Sequence, residues 1–173
     1  KFADYWNKDN VFVDKITYLP IVDSTVRLAN LRSGGLDMIE RVLATDIKTV
    51  RDNPKLKLIA AVELGYFGIT MNLANGPKAN TPFAKDARIR RAFELSLDRD
   101  AINQVVFNGE FVPGNQWISP TNYYYQQAFP IPKRDITKAK TLLKEAGVAG
   151  PITLDFMVPN GTEFRAVAEV VQS

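Results

Sequence analysis

Apolar runs that alternate with amphipathic stripes along residues 15–62 predict an α/β chain. Three observations carry that class. Lys15–Pro20, Leu36–Glu40 and Leu56–Val62 are short, apolar-rich runs bounded by proline or glycine, as strands are. Between them, residues 23–32 and 44–52 carry helix starts and stops. Gly65–Asn72 and Ile152–Val158 alternate side-chain character with period two, the repeat of a strand.

The elements follow in order. Pro20 ends the first strand. Asp23 or Ser24 caps a helix that runs to about Arg32, with Val26, Leu28, Ala29 and Leu31 apolar, and Gly34-Gly35 closes it. Thr45 or Ala44 starts a second helix, which Asn53-Pro54 breaks. Phe67, Ile69 and Met71 form the apolar face of the 65–72 strand, opposite Tyr66, Gly68, Thr70 and Asn72. Residues 75–81 hold Gly, Pro and Asn and read as a surface loop. Two tandem helices come next. Asp86 caps the first, with Ile89, Ala92, Phe93 and Leu97 on one side. Asp98 restarts the pattern with Ala101, Ile102, Val105 and Val106, and Asn108-Gly109 ends it. Residues 111–132 are irregular and aromatic, punctuated by Pro113, Pro120, Pro130 and Pro132. Asp135 caps a helix ending at Gly147, and Ile152–Val158 forms a strand. The turn Pro159-Asn160-Gly161 leads to Thr162, the expected cap of a last helix striped with Phe164, Val167, Ala168 and Val171.

Composition narrows the chemistry. The 173 residues, 46% hydrophobic and 24% charged, suit one domain or two small ones. Twenty-two Lys and Arg against 19 Asp and Glu make a mixed surface with net charge +3, not a nucleic-acid footprint. No run approaches a membrane span, and KFADYWNKDN has no basic start followed by an apolar stretch. Zero cysteines remove disulfides, thiolate nucleophiles and cysteine-zinc sites. Zero histidines remove the commonest base and metal ligand, and exclude a Ser-His-Asp enzyme within the chain. No metal and no cofactor is expected. Lys1 is not an initiator Met, and the last stripe stops at Ser173 without a capping signal, so both ends read as cut.

Motifs in series then point to a family. Pro82-Phe83, then Asp86-x-Arg88-x-Arg90-x-Ala92, then Asp98-Arg99-x-x-Ile102 resembles the large periplasmic solute-binding proteins of ABC transporters, the dipeptide/oligopeptide/nickel family (family 5). Tyr5-Trp6 with Asp14-Lys15-Ile16, Val22–Leu28, Ser33–Met38, Gly65–Asn72 and Asp135–Gly147 resemble further family motifs in the family's order. Gly35 stands where the family usually has an acidic residue, and the insert 73–81 is longer than typical. The resemblance implies a periplasmic-binding-protein-like fold of type II, seen here as a partial two-lobe fragment. Residues 1–70 would belong to the first lobe and residues 71–173 to the opening half of the second. It implies a periplasmic or lipid-anchored binding protein, not an enzyme. Such a protein would capture a peptide-like small solute and deliver it to ABC transporter permease subunits, with no nucleic acid involved and no membrane span in this chain. Two other readings stay open: a carboxylate-using α/β hydrolase or glycosidase fragment, and a receptor module that senses a solute on the same fold. The missing histidine and the lack of a close carboxylate pair weigh against the first.

Ligand-binding candidates fall in three places. Tyr66 and Thr70 either face a cleft near the hinge or cover an adjacent helix; Gly68 between them allows close approach. Trp117 stands out among Tyr123, Tyr124, Tyr125 and Phe129, aromatics that either line a cleft or anchor a long loop. Asn160 and Thr162, with Glu163 and Arg165, lie where a strand meets a helix, a place that binds ligands in open α/β sheets or is merely a capped turn. Arg88, Arg90 and Arg91 read as scaffold paired with Asp86, Glu94 and Asp98, and Asp37 as tying down its own turn.

Overall fold

Caps and glycines set the helix boundaries in the computed structural model, which describes residues 2–62 and 64–173. Among these residues the α-helices are α1 (Ser24–Ser33), α2 (Ile47–Arg51), α3 (Pro82–Lys85), α4 (Ala87–Ser96), α5 (Arg99–Phe107), α6 (Ile136–Glu145) and α7 (Thr162–Gln172). Short 3₁₀ turns occupy Lys8–Asn10, Ala44–Asp46 and Pro77–Ala79. By its own contacts the chain divides into two compact units, Lys1–Val42 and Leu43–Ser173.

In the first unit, the Asp23 carboxylate accepts the backbone N–H of Val26 at 2.9 Å and caps α1. Gly34, at φ 80°, closes it in a left-handed conformation, and the Gly35 N–H reaches back to the Asn30 carbonyl at 2.9 Å. Of the expected apolar stripe only Leu28 is buried. Arg27 donates to the carbonyls of Ile21 and Val22, both at 2.8 Å, and of Arg41 at 3.2 Å. Arg41 itself holds φ 57°, unusual for a non-glycine residue, and the Arg27 bond fixes its carbonyl.

In the second unit, α4 and α6 pack most extensively. Ala92, Leu95 and Ala139 are buried between them, with Leu142 and Leu143 packed alongside. Hydrogen bonds lash the pair at both ends, so the helices run antiparallel. Arg88 donates to the Glu145 carbonyl at 2.8 Å, while the Asp135 N–H reaches the Leu95 carbonyl at 2.8 Å and Arg134 the Ser96 carbonyl at 3.1 Å. Asp86, Asp98 and Asp135 cap α4, α5 and α6, each accepting a backbone N–H of the first turn. Asn108 and Gly109, both at positive φ, end α5. Two details differ from expectation. Thr81 caps a short α3 ahead of α4, and Gly161, not Thr162, stands at the N-cap of α7.

The arginine cluster is scaffold. Arg88 pairs with Asp86 at 2.6 Å, Arg91 and Arg99 pair with Glu94, and Arg90 donates to the Phe83 carbonyl. The Arg88 guanidinium, bonded to the Asp86 carboxylate, and then the Arg88 backbone N–H hold the carboxyl well below the usual range, at about 2. A depressed carboxylate pKa stabilises the fold at pH above its unfolded value, near 3.9, and that contribution fades as pH falls toward 2. Asp86→Asn keeps the cap and removes the charge. It is therefore expected to lower the melting temperature at pH 5 and to match the unaltered chain at pH 2. Melts that differ equally at both pH values would refute this.

The strand expectations need correction. Lys15–Pro20, Leu36–Glu40, Leu56–Val62, Gly65–Asn72 and Ile152–Val158 are irregular, and no strand ladder forms among the described residues. A strand needs a hydrogen-bonded neighbour to be stable, and these segments find none among the described residues. Their apolar side chains stay out: Ile16, Tyr18, Leu19, Ile59, Val62, Leu154, Phe156 and Met157 are all exposed. The described chain is thus helical with irregular connections, and the α/β layer predicted for residues 15–72 is not formed in it.

Candidate functional site

Four phenylalanines from distant parts of the second unit build the frame. Phe107, at the end of α5, is 5% exposed. It stacks on Phe111 with ring centroids 4.1 Å apart and meets Phe67 edge-on at 5.8 Å. Phe67 stacks on Phe164 of α7 at 4.4 Å. Offset-stacked and edge-on geometries suit the ring quadrupoles, so these contacts add to simple burial. They bring the 65–72 segment, the end of α5, the start of the aromatic loop and the first turn of α7 together. The sequence gives no local sign of this, because the partners lie far apart along the chain.

Around that frame the candidate side chains are placed as follows. Tyr66 is exposed, and its ring lies beside Gly68, where an added Cβ would come within 2.9 Å of it. Thr70 is exposed in the same segment. Asn160 accepts a hydrogen bond from the Arg165 guanidinium, one turn into α7, and Thr162 is exposed at the start of that helix. The Phe67–Phe164 stack thus draws the segment bearing Tyr66 and Thr70 toward the helix start bearing Asn160 and Thr162.

Trp117 lies in the loop between α5 and α6. Asn103 clamps the loop's entrance by exchanging hydrogen bonds with the Phe111 backbone, at 2.8 and 3.2 Å. Asn115 donates to the carbonyls of Phe129 and Pro130, and Gln116 exchanges two bonds with the Gln126 backbone, at 2.8 and 3.2 Å. Ser119, 5% exposed, bonds Thr121 inside the loop. These amides tie a neck, and beyond it the aromatics stand outward: Trp117 is 73% exposed, and Tyr123 meets Tyr124 edge-on at 5.4 Å. A polar neck therefore holds an apolar, solvent-facing tip, the kind of surface that marks interaction sites.

Among the described residues no three Asp, Glu, His or Cys side chains converge as a metal site requires. No described helix is long and apolar enough to cross a membrane.

Comparison with known proteins gives the chain its family. The model of bacterial extracellular solute-binding proteins, family 5 Middle, matches residues 1–173. The chain is 30% identical over 153 residues to the glutathione-binding protein GsiB of Pectobacterium atrosepticum, covering 88% of the chain and 28% of that protein. It is 31% identical over 147 residues to GsiB of Salmonella typhimurium, covering 85% of the chain and 27% of that protein. It is 28% identical over 177 residues to di/tripeptide-binding protein 1 of Pseudomonas aeruginosa, covering 98% of the chain and 32% of that protein. The chain spans about three tenths of the length of these curated relatives. With the match running from the first residue to the last, the chain belongs to the bacterial extracellular solute-binding proteins of family 5.

Proposed function

We propose that this chain is part of the substrate-binding component of an ABC transporter, which captures a peptide-like solute in the periplasm and passes it to permease subunits. The observation that carries the reading is the family match over residues 1–173. The relatives' names, glutathione-binding and di/tripeptide-binding, support a short peptide as solute. On this reading the protein works by closing two lobes about a hinge, a population shift with no covalent step. Residues 1–70 belong to one lobe and residues 71–173 to the other. Tyr66, Thr70, Trp117, Asn160 and Thr162 face the solute. The fold at full length is the α/β periplasmic-binding-protein type. There the exposed apolar side chains of 15–20, 56–62 and 152–158 gain partner strands that cover them.

The test is a melting screen with glutathione and with di- and tripeptides, on a protein that carries this chain at the length of its relatives. A solute at 100 times its Kd stabilises the folded state by about 2.7 kcal/mol, a readable rise in melting temperature. Residues 1–173 alone are expected to show little or no rise with the same solute, since a pocket needs most of its wall to bury a ligand. No rise with any of these solutes in the longer protein would overturn the proposal.

A further inference from the structure

Asparagine followed by glycine occurs three times in the chain, at Asn75-Gly76, Asn108-Gly109 and Asn160-Gly161. The pair has an intrinsic chemistry. Glycine lacks a Cβ, so its backbone nitrogen can approach the side-chain amide of the residue before it. Local sequence makes the three pairs equivalent. All three asparagines are exposed, so access does not separate them either. Their hydrogen bonds do.

Two of the pairs are held. The Asn108 side chain donates to the Ala44 carbonyl at 3.3 Å, and the Gly109 N–H donates to the Asn103 carbonyl at 3.1 Å as α5 ends. Asn160 accepts from the Arg165 guanidinium, and the Gly161 N–H donates to the Pro159 carbonyl at 2.8 Å as α7 begins. Space is short at both glycines. A Cβ on Gly109 would lie 3.2 Å from the Gln104 side-chain oxygen, and one on Gly161 would lie 2.9 Å from the Phe164 ring. Reaction at either pair must break two hydrogen bonds and disturb a helix end.

Asn75-Gly76 differs. The Asn72 side chain accepts the Asn75 N–H and donates to the Asn75 carbonyl, both at 2.9 Å. Among the described residues the Asn75 side chain and the Gly76 N–H have no hydrogen-bond partner. A Cβ on Gly76 would meet nothing within 4 Å beyond its chain neighbours. The Asn72 clasp steadies the backbone and leaves both reacting groups free.

We propose that Asn75 is a site of self-modification, which deamidates while Asn108 and Asn160 persist. A base takes the Gly76 amide proton. That nitrogen attacks Cγ of Asn75, and the side-chain nitrogen takes up a proton and leaves as ammonia. Water then opens the cyclic imide at one carbonyl or the other, giving aspartate or isoaspartate. One water is consumed, one ammonia is released, and nothing is oxidised or reduced. Either product adds a negative charge. In isoaspartate the carbonyl held by Asn72 becomes a free carboxylate and the chain runs on through Cγ. The clasp then no longer sets the path into the turn Pro77–Ala79.

The experiment incubates residues 1–173 at pH 6 and at pH 8 and follows tryptic peptides by mass spectrometry. Cleavage after lysine and arginine puts the three pairs in separate peptides, residues 58–78, 100–133 and 145–165. Peptide 58–78 is expected to convert at least about tenfold faster than the other two, since each of those must first break two hydrogen bonds. Its rate should rise from pH 6 to pH 8, because a base removes the Gly76 proton. In concentrated guanidinium chloride the three peptides should convert at similar rates. Asn75→Gln should abolish conversion in peptide 58–78, which sets Asn72 aside as its source. Comparable rates in the folded chain, or fastest conversion at Asn108 or Asn160, would overturn the proposal. So would conversion that persists in the Gln variant, a rate indifferent to pH, or a preference for Asn75 that survives unfolding.

Discussion

Trp117→Ala is expected to lower solute affinity by roughly 10- to 100-fold, while leaving the stability of the fold nearly unchanged. The affinity loss corresponds to about 1–3 kcal/mol, the range for truncating an aromatic anchor at a contact surface. The stability forecast rests on exposure. The ring is 73% exposed, so its removal uncovers little apolar area and opens no cavity. The neck formed by Asn115 and Gln116 uses backbone carbonyls beyond the ring and survives the substitution. Calorimetric titration and urea unfolding on one variant, in a protein of the relatives' length, separate the two quantities. Unchanged affinity with a loss of about 3–5 kcal/mol of stability would make Trp117 a packing anchor.

Phe107→Ala should do the opposite. It is expected to destabilise the chain by about 3–5 kcal/mol, the range for emptying a buried aromatic site. Phe107 is 5% exposed and touches both Phe111 and Phe67, so its loss leaves a cavity and two orphaned ring contacts. Phe107→Leu retains part of the volume and should cost clearly less. The urea midpoint measures both. A loss below about 1 kcal/mol for the alanine variant would show that the frame collapses around the gap without strain.

Helices were legible because their signals are local. Asp86 and Asp135 were readable as caps, Asp23 as one of two candidates with Ser24, and Asp98 only as the restart of an apolar stripe; each of the four caps the start of its helix. Gly34 was readable as a terminator for the same reason. The cap of α7 was misplaced by one residue, because Thr162 has the better capping side chain while Gly161 takes the extended backbone that the position requires. Strands were not legible in this sense. Alternation along 65–72 and 152–158 describes a segment suited to a sheet, but the ladder depends on a neighbour that no local pattern supplies. At the candidate site, the loop that carries Trp117 could be recognised from its prolines and aromatics. The amide neck and the Phe67–Phe107–Phe111–Phe164 frame could not, since the neck follows no periodic or capping pattern and Phe67 meets Phe107 and Phe164 across long stretches of chain.

The antiparallel lashing of α4 and α6 carries a consequence for how such a protein can diverge. Both helix ends are secured by Arg88, Arg134 and the Asp135 amide, none of which belongs to residues 108–133. That connection enters the stability of the pair only through the entropy of closing it, and doubling its length adds only about 0.6 kcal/mol. A lineage can therefore lengthen, shorten or rewrite the stretch around Trp117 while the two helices keep their melting behaviour. What the loop touches and how firmly the scaffold holds become separately heritable traits, open to selection one at a time.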